Sequence, residues 1–205
     1  MDAEKISILI ACFNGEKFID RCITSIFEQT YKNFIIIFLN DGSNDNTKNV
    51  IEKYIGEKLI YFENKNNMGR GFSRNKLLNL SNTKYSCWCD IDDYMHPQKI
   101  EKQINHMIEN KITFLSTEMF DIDNEGNVVG VGCNKKDDIE GLTFEKLNHV
   151  NKINHPTVIF KTEIAKKIGF NENLKFNEDW DFYKKLYSSG HRVNCLPEPL
   201  YYYKL

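Results

Sequence analysis

The chain is short of several things, and each shortage removes a class of function. Its longest apolar run, Phe34 to Leu39, falls far below the roughly 20 residues that a membrane-spanning helix needs. The opening Met1-Asp2-Ala3-Glu4-Lys5 is charged and has no apolar h-region, so no secretory signal is expected. Basic residues are not in excess: 27 Lys and Arg face 29 Asp and Glu, which argues against a dedicated nucleic-acid binder. None of the six cysteines stands in a C-x-x-C pair. They read as reduced thiols of a cytoplasmic protein rather than a zinc site or a disulfide framework. The five histidines show no metal-ligand spacing, and only His155, just upstream of an acidic segment, is marked as a candidate for lining a site. There is no G-x-x-x-x-G-K-[ST], no G-x-G-x-x-G after the first strand and no G-x-S-x-G.

What is present is enough for a real core. At 205 residues and 41% hydrophobic content, one domain is expected, and a net charge of −2 does not favour disorder. Apolar periodicity alternates between strand and helix through the first half. Ile6 to Cys12 reads as a buried strand, and Phe18, Ile19, Cys22, Ile23, Ile26 and Phe27 mark one face of a helix. Phe34 to Leu39, Lys58 to Phe62 and Tyr85 to Cys89 read as further strands. Helices are expected around Val50 to Ile55, Ser73 to Leu80 and from Pro97 to about Asn110, the last with Ile100, Ile104, Met107 and Ile108 inward. Such strand–helix units predict a parallel sheet, with binding sites at the carboxyl ends of its strands.

The second half is less regular. Ile112 to Glu118 and Thr157 to Phe160 look like strands, and residues 124–127 like a hairpin turn rather than a calcium loop. Thr162 and Asn177 are expected to cap helices ending at Gly169 and Gly190. Arg192 to Leu196 and Leu200 to Tyr203 look like two closing strands separated by Pro197 and Pro199.

Polar residues crowd the ends of the first four strands: Phe13-Asn14-Gly15-Glu16, Asn40-Asp41-Gly42-Ser43, the stretch from Glu63 to Arg70, and Asp90-Ile91-Asp92-Asp93. Any one of these is ordinary turn chemistry, but four on one sheet edge form a polar crevice. Three carboxylates within four residues repel one another, and a divalent cation relieves that repulsion. Asn177-Glu178-Asp179-Trp180-Asp181 opens a helix, where acids complement the dipole. It could also supply a general base.

Seven pieces, in order, resemble the family 2 glycosyltransferases. They are the strand Ile8 to Asn14, Ser25 with Gln29, Asn40 through Thr47, Asn67-Met68-Gly69 through Ser73-Arg74-Asn75, Asp90-Ile91-Asp92-Asp93, Glu178-Asp179 with Trp180-Asp181-Phe182, and the aromatic strand Leu200 to Tyr203. The resemblance implies a GT-A fold, a Rossmann-like, mostly parallel α/β sheet flanked by helices, with a small mixed sheet in the second half. It implies a single catalytic domain over residues 1–205, with a nucleotide-binding half to about residue 95 and an acceptor and catalytic half from about residue 96.

Matched positions inherit roles. Ala11, Phe13, Asn14, Asp41, Asn67, Gly69, Arg74, Asp90 and Ile91 would hold the nucleotide-sugar. Asp92, with Asp90, would bind Mn²⁺ or Mg²⁺. Asp179 would be the general base, with Glu178 beside it as the other catalytic carboxylate. The implied reaction is metal-dependent transfer of a hexosyl group from a nucleotide-diphospho-sugar, with UDP as the expected nucleotide, to a hydroxyl of a glycan or lipid-linked acceptor. It proceeds with inversion, as in polysaccharide biosynthesis. A cytoplasmic location is implied, with peripheral membrane association left open. Two departures, Asn40 for the family's first Asp and Ala11-Cys12 for Pro-Thr, are expected to alter the base pocket. Some relatives continue past the aromatic strand to a metal-binding His, which this chain either lacks or carries beyond Leu205. A sugar-phosphate nucleotidyltransferase and a non-catalytic nucleotide-sugar binding module are the alternatives.

Overall fold

In a computed structural model, residues 4–132 and 136–205 are described. The elements run β1 (Ile6–Cys12), α1 (Ile19–Phe27), β2 (Phe34–Asn40), α2 (Thr47–Glu52), β3 (Leu59–Glu63), α3 (Arg70–Leu80), β4 (Tyr85–Trp88), β5 (Tyr94–Met95) and α4 (Lys99–Asn110). There follow β6 (Phe114–Ile122), β7 (Val128–Val131), α5 (Lys136–Glu140), α6 (Phe144–Leu147), β8 (Ile159–Lys161), α7 (Thr162–Ile168), α8 (Glu178–Ser188) and β9 (Asn194–Lys204). The described strands form one sheet in the order β3-β2-β1-β4-β8-β6-β9-β5, with β7 on β6. The strands from β3 to β4 are parallel, as the alternating pattern predicts, and β8 then joins β4 antiparallel.

The near-continuous apolar runs of β1 and β2 follow from helices on both faces. Along β1, Ile6, Ile8 and Ile10 pack with Cys22, Ile23 and Ile26 of α1 and with Ile100 and Ile104 of α4. Leu9, one step out of phase, joins Leu77 and Leu78 of α3 and Phe182 and Leu186 of α8 on the other face. Each such side chain contributes about 1.5–3 kcal/mol when fully buried.

Ser25 and Gln29 act inside this frame. Gln29 Nε2 donates to the His96 carbonyl (2.8 Å), Gln29 Oε1 accepts from Ile100 N–H (3.1 Å), and Ser25 Oγ accepts from Met95 N–H (3.1 Å). The first helix thereby satisfies the backbone of the segment that follows Asp92.

Several local expectations are corrected. Ile108 is 45% exposed, because the buried stripe of α4 runs through Lys99, Ile100, Gln103, Ile104 and Met107. Thr162 is the first residue of α7 rather than its cap, and its hydroxyl pairs with Ser86 Oγ at 2.8 Å. Asn177 precedes α8 in a left-handed conformation (φ 60°) with no capping side-chain bond. The two closing strands are one, β9, which continues through Pro197 and Pro199 because its register with β6 shifts around Glu118. Cys12, Cys22, Cys87, Cys89 and Cys195 are free thiols, and Cys133 lies outside the described residues.

Candidate active site

Because β1, β2 and β4 run parallel, their carboxyl ends open on one edge, where the chain folds into a cavity of about 540 Å³. Its construction begins with hydrogen bonds between loops. Asn14 (φ 55°) donates its N–H to Ser43 Oγ (2.9 Å), and its Oδ1 accepts from Asn44 N–H (3.0 Å). Gly15 N–H donates to Thr47 Oγ1 (2.9 Å) and Glu16 N–H to Asp45 Oδ2 (3.1 Å). Asp41 is buried and accepts three times, from Asn64 Nδ2 (2.7 Å), Met68 N–H (2.9 Å) and Gly69 N–H (3.0 Å). It therefore shapes the loop leading into α3, whose N-terminus lines the cavity through Gly69 and Arg70. Gly71 keeps that helix close to the loop before α8: a Cβ there would stand 2.6 Å from the Asn171 carbonyl oxygen.

All nine residues expected to hold the nucleotide-sugar line this one cavity: Ala11, Phe13 and Asn14 from the end of β1, Asp41 from that of β2, Asn67 and Gly69 from the loop before α3, Arg74 from α3, and Asp90 and Ile91 after β4. Asp92 lines it as well. Asn40 does not. It is buried, its Oδ1 accepts from Ser43 N–H (3.0 Å), and its Nδ2 donates to Tyr61 Oη (3.1 Å). That departure therefore alters a loop brace, whereas Ala11 and Cys12 do face the cavity.

The three carboxylates after β4 part company. Asp93 turns into the protein, where Oδ1 accepts from Lys204 N–H (2.8 Å) and burial pushes its carboxyl up to about 8, with Asp90 adding repulsion. Asp92 is exposed at the cavity, and its carbonyl accepts from Arg21 Nη2 (3.2 Å). Asp90 is fixed through its N–H, which donates to Tyr201 Oη (3.1 Å), while its side chain keeps 40% exposure. Burial pushes the Asp90 carboxyl up. Arg74 at 4.0 Å opposes that, and Asp92 and Asp179 reinforce it.

Among the described residues no three His, Cys, Asp or Glu side chains converge on a metal position. Two carboxylates, one exposed and one half-buried, are nevertheless what Mg²⁺ or Mn²⁺ needs when substrate phosphates complete its shell. The donor set fits an ion that binds together with a diphosphate.

A second, smaller cavity of about 320 Å³ shares Arg70, Arg74, Asp90 and Tyr203 with the first. Asp179 lines it, with Asn151 Nδ2 at 3.5 Å from its Oδ2. Glu178 lines it too, but in a different role. Its Oε1 accepts from Arg74 Nη1 at 2.6 Å, and the pair is deeply buried, with 11% exposure for the Arg side chain and 2% for the Glu. Glu178 holds Arg74 in place, and Asp179 is the carboxylate left to the crevice. His155 also lines the second cavity, its ring stacked on Trp88 and its Nδ1 at 3.0 Å from Tyr183 Oη. Burial, then Arg74, holds its pKa well below the usual histidine value, so it is neutral.

Other lining residues went unmarked in the sequence. Lys175 and Phe176 precede the Glu-Asp piece and were within reach of reading, and Arg70 reads only as the end of the polar stretch from Glu63. Asn151 and Met119 sit in the irregular 119–155 segment, where no periodicity points to a site.

The residues' arrangement has counterparts in known proteins. The model of the family described as "Glycosyl transferase family 2" matches residues 7–169. A *Methanocaldococcus jannaschii* protein described as an uncharacterized glycosyltransferase is 31% identical, over 100% of this chain and 72% of its own length. One from *Rickettsia typhi*, similarly described, is 33% identical over 88% of this chain and 58% of its own. Among solved structures, *S. aureus* TarS 1-349, determined in complexes with UDP and with UDP-GlcNAc, superposes with a TM-score of 0.81 at 25% identity. In the UDP complex 98% of this chain covers 60% of that one. A *Pyrobaculum calidifontis* mannosyltransferase, solved with GDP-Man and Mn²⁺, shares the fold at 12% identity, with a TM-score of 0.73 over 97% of this chain and 56% of its own. The chain thus spans between 56% and 72% of the length of these four proteins. With its sheet, its cavity and these matches in agreement, the chain belongs to glycosyl transferase family 2 and has the GT-A fold.

Proposed function

We propose that this chain transfers a sugar from a UDP-sugar to a hydroxyl of a glycan or lipid-linked acceptor, with inversion and with the help of a divalent cation. One observation carries the reading: the cavity lined by Asp92 and the crevice lined by Asp179 meet at a shared wall of Asp90 and Arg74. A donor whose diphosphate lies beside Asp92 would present its anomeric carbon across that wall toward Asp179. The chain's first half then serves the nucleotide, and its second half the acceptor and the base.

Each residue's part follows from its chemistry. Phe13, half-exposed at the cavity mouth, offers a ring face to the base, and Asp41 and Asn14 hold the loops around it. Arg70, Arg74 and the α3 N-terminus face the diphosphate with positive charge. A divalent cation on Asp92 and Asp90 would stabilise the charge that grows on the departing nucleoside diphosphate. Asp179 takes the acceptor hydroxyl's proton as the new bond forms. One base opposite one leaving group suits a single in-line displacement. The 25% identical structure solved with UDP and with UDP-GlcNAc supports a uridine donor.

The test is calorimetric titration of UDP- and GDP-sugars with Mn²⁺ and then with EDTA, on the wild type and on Asp92→Asn. Metal-dependent binding of one nucleotide-sugar, lost in Asp92→Asn, is expected. Equal UDP affinity in all four conditions overturns the metal assignment.

A further inference from the structure

Two residues that line the second cavity carry buried polar atoms with no partner among the described residues. His155 Nε2 and Glu178 Oε2 are both buried and lack a hydrogen-bond partner, and both residues line that cavity. Nδ1 of His155 is engaged by Tyr183 Oη at 3.0 Å, so Nε2 is the polar atom its ring has left to offer.

The partner fixes which nitrogen carries the proton. The Tyr183 hydroxyl is buried and, among the described residues, has this one hydrogen bond. If Nδ1 carried the proton, the tyrosine O–H would have no acceptor and would be stranded in the core, which is unfavourable. The tyrosine therefore donates to a bare Nδ1, and Nε2 bears the hydrogen. Carboxylates of Glu178, Asp179 and Asp90 line the same cavity, but the ring itself is packed among aromatic side chains. Trp88 stacks on it at 5.0 Å between centroids, and Phe170 meets it edge-on at 5.6 Å. The nearby Arg74 charge and burial both disfavour the imidazolium. The ring is thus a fixed, neutral donor in a cavity that Glu178, whose unpartnered carboxylate oxygen can only accept, also lines. A donor and an acceptor lining one cavity match an alcohol, which accepts from one and donates to the other.

The position selects the source of that alcohol. Trp88, under the His155 ring, lines the first cavity, while His155 lines the second. His155 therefore lines one cavity while stacked on a residue of the other. A sugar joined to a diphosphate in the first cavity must cross the shared wall for its anomeric carbon to face Asp179.

We infer that His155 Nε2–H donates a hydrogen bond to a hydroxyl of the transferred sugar and is a specificity-determining group for the donor. The inference rests on the glycosyltransferase reading above. Its test compares two affinities: that of UDP, which lacks the sugar, and that of whichever nucleotide-sugar binds the wild type most tightly. His155→Phe keeps a flat ring on Trp88 and removes the donor. It should lower the nucleotide-sugar affinity roughly 10-fold, the scale of one well-placed hydrogen bond, and leave UDP affinity unchanged. Tyr183→Phe keeps the imidazole and frees its tautomer, and should give a smaller loss in the same ratio. Nitrogen-15 spectra of the wild type should show His155 protonated at Nε2 and bare at Nδ1, a readout that stands even where His155→Phe does not fold.

An unchanged ratio in His155→Phe overturns the inference, as does a parallel loss of UDP affinity, which would mark a packing effect. A wild-type Nδ1–H tautomer does so as well. A wild type that binds neither UDP nor any nucleotide-sugar overturns this inference and the proposed function together, whereas normal binding with an unchanged ratio overturns this one alone.

Discussion

The two walls of the crevice are built by opposite means. On the side lined by the ends of β1 and β2, the polar groups are largely engaged within the protein: Asp41 accepts three hydrogen bonds, and Asn14, Gly15 and Glu16 are joined to the loop before α2. On the side lined by α8 and the segment before β8, His155 Nε2 and Glu178 Oε2 have no partner among the described residues, and Asn151 approaches Asp179 only at 3.5 Å. The loops of the first wall are braced before anything binds. The second retains buried polar atoms that each cost about 1–3 kcal/mol until something satisfies them. A rigid frame suits a nucleotide, which is the same in every turnover. Unsatisfied donors and acceptors suit the hydroxyls that the chemistry must hold and release.

The sharpest way to break this comparison is at the shared wall. Arg74→Met leaves the Glu178 carboxylate buried without its cation and should lower stability by about 3–5 kcal/mol in urea denaturation. Asp92→Asn, at an exposed position, should leave stability unchanged by the same measurement.

Next in size is the proposed base. Asp179→Asn should cut turnover about 10²-fold or more while leaving nucleotide-sugar affinity intact, checked by steady-state sugar transfer beside calorimetry. Near-normal turnover would move the base to another residue.

A smaller effect separates the walls by pH. Because the folded pKa of His155 is depressed, the unfolded chain takes up a proton first as pH falls below about 6.5. Wild-type stability should therefore be fully present above that pH. Below it, stability should decline by up to about 1.4 kcal/mol per pH unit from this group. The decline should be shallower in His155→Phe, measured by denaturation at pH 7 and pH 5. Parallel curves would mean that the ring titrates normally.

The smallest expected effect lies away from both walls. Ile108→Lys should change stability by less than about 0.5 kcal/mol, while Ile104→Ala costs about 2–5 kcal/mol, by thermal or urea denaturation.

How far reading could reach depended on the type of signal. β1 was legible to the residue, Ile6–Cys12, since a strand buried on both faces is a continuous apolar run. The stripe of α4 was legible except for Ile108, which periodicity alone places one step too far round. Capping was less legible, because Thr162 and Asn177 have the right side chains in the right places but are used otherwise, one pairing with Ser86 and the other adopting a left-handed backbone. The merging of two short strands into β9 was hidden by Pro197 and Pro199, which ordinarily end strands and here coincide with shifts in pairing.

By itself the sequence determined the order of strands and helices through the first half, and with it the sheet edge on which a crevice must open. These follow from local periodicity and from the constraints on parallel connections, which act over short stretches of chain. The nine residues it marked for a nucleotide-sugar also line the first cavity together, though Lys175 and Phe176 beside them went unmarked. Only the tertiary structure decided how neighbours in sequence divide their work. Asp93 turns inward while Asp92 faces the cavity. Glu178 is bound to Arg74, 104 residues away, while Asp179 is left to the crevice, and His155 acquires its tautomer from Tyr183. The physical reason is the same in each case. Burial and a distant partner set the role of a charged or hydrogen-bonding group, and neither is encoded in the residues beside it.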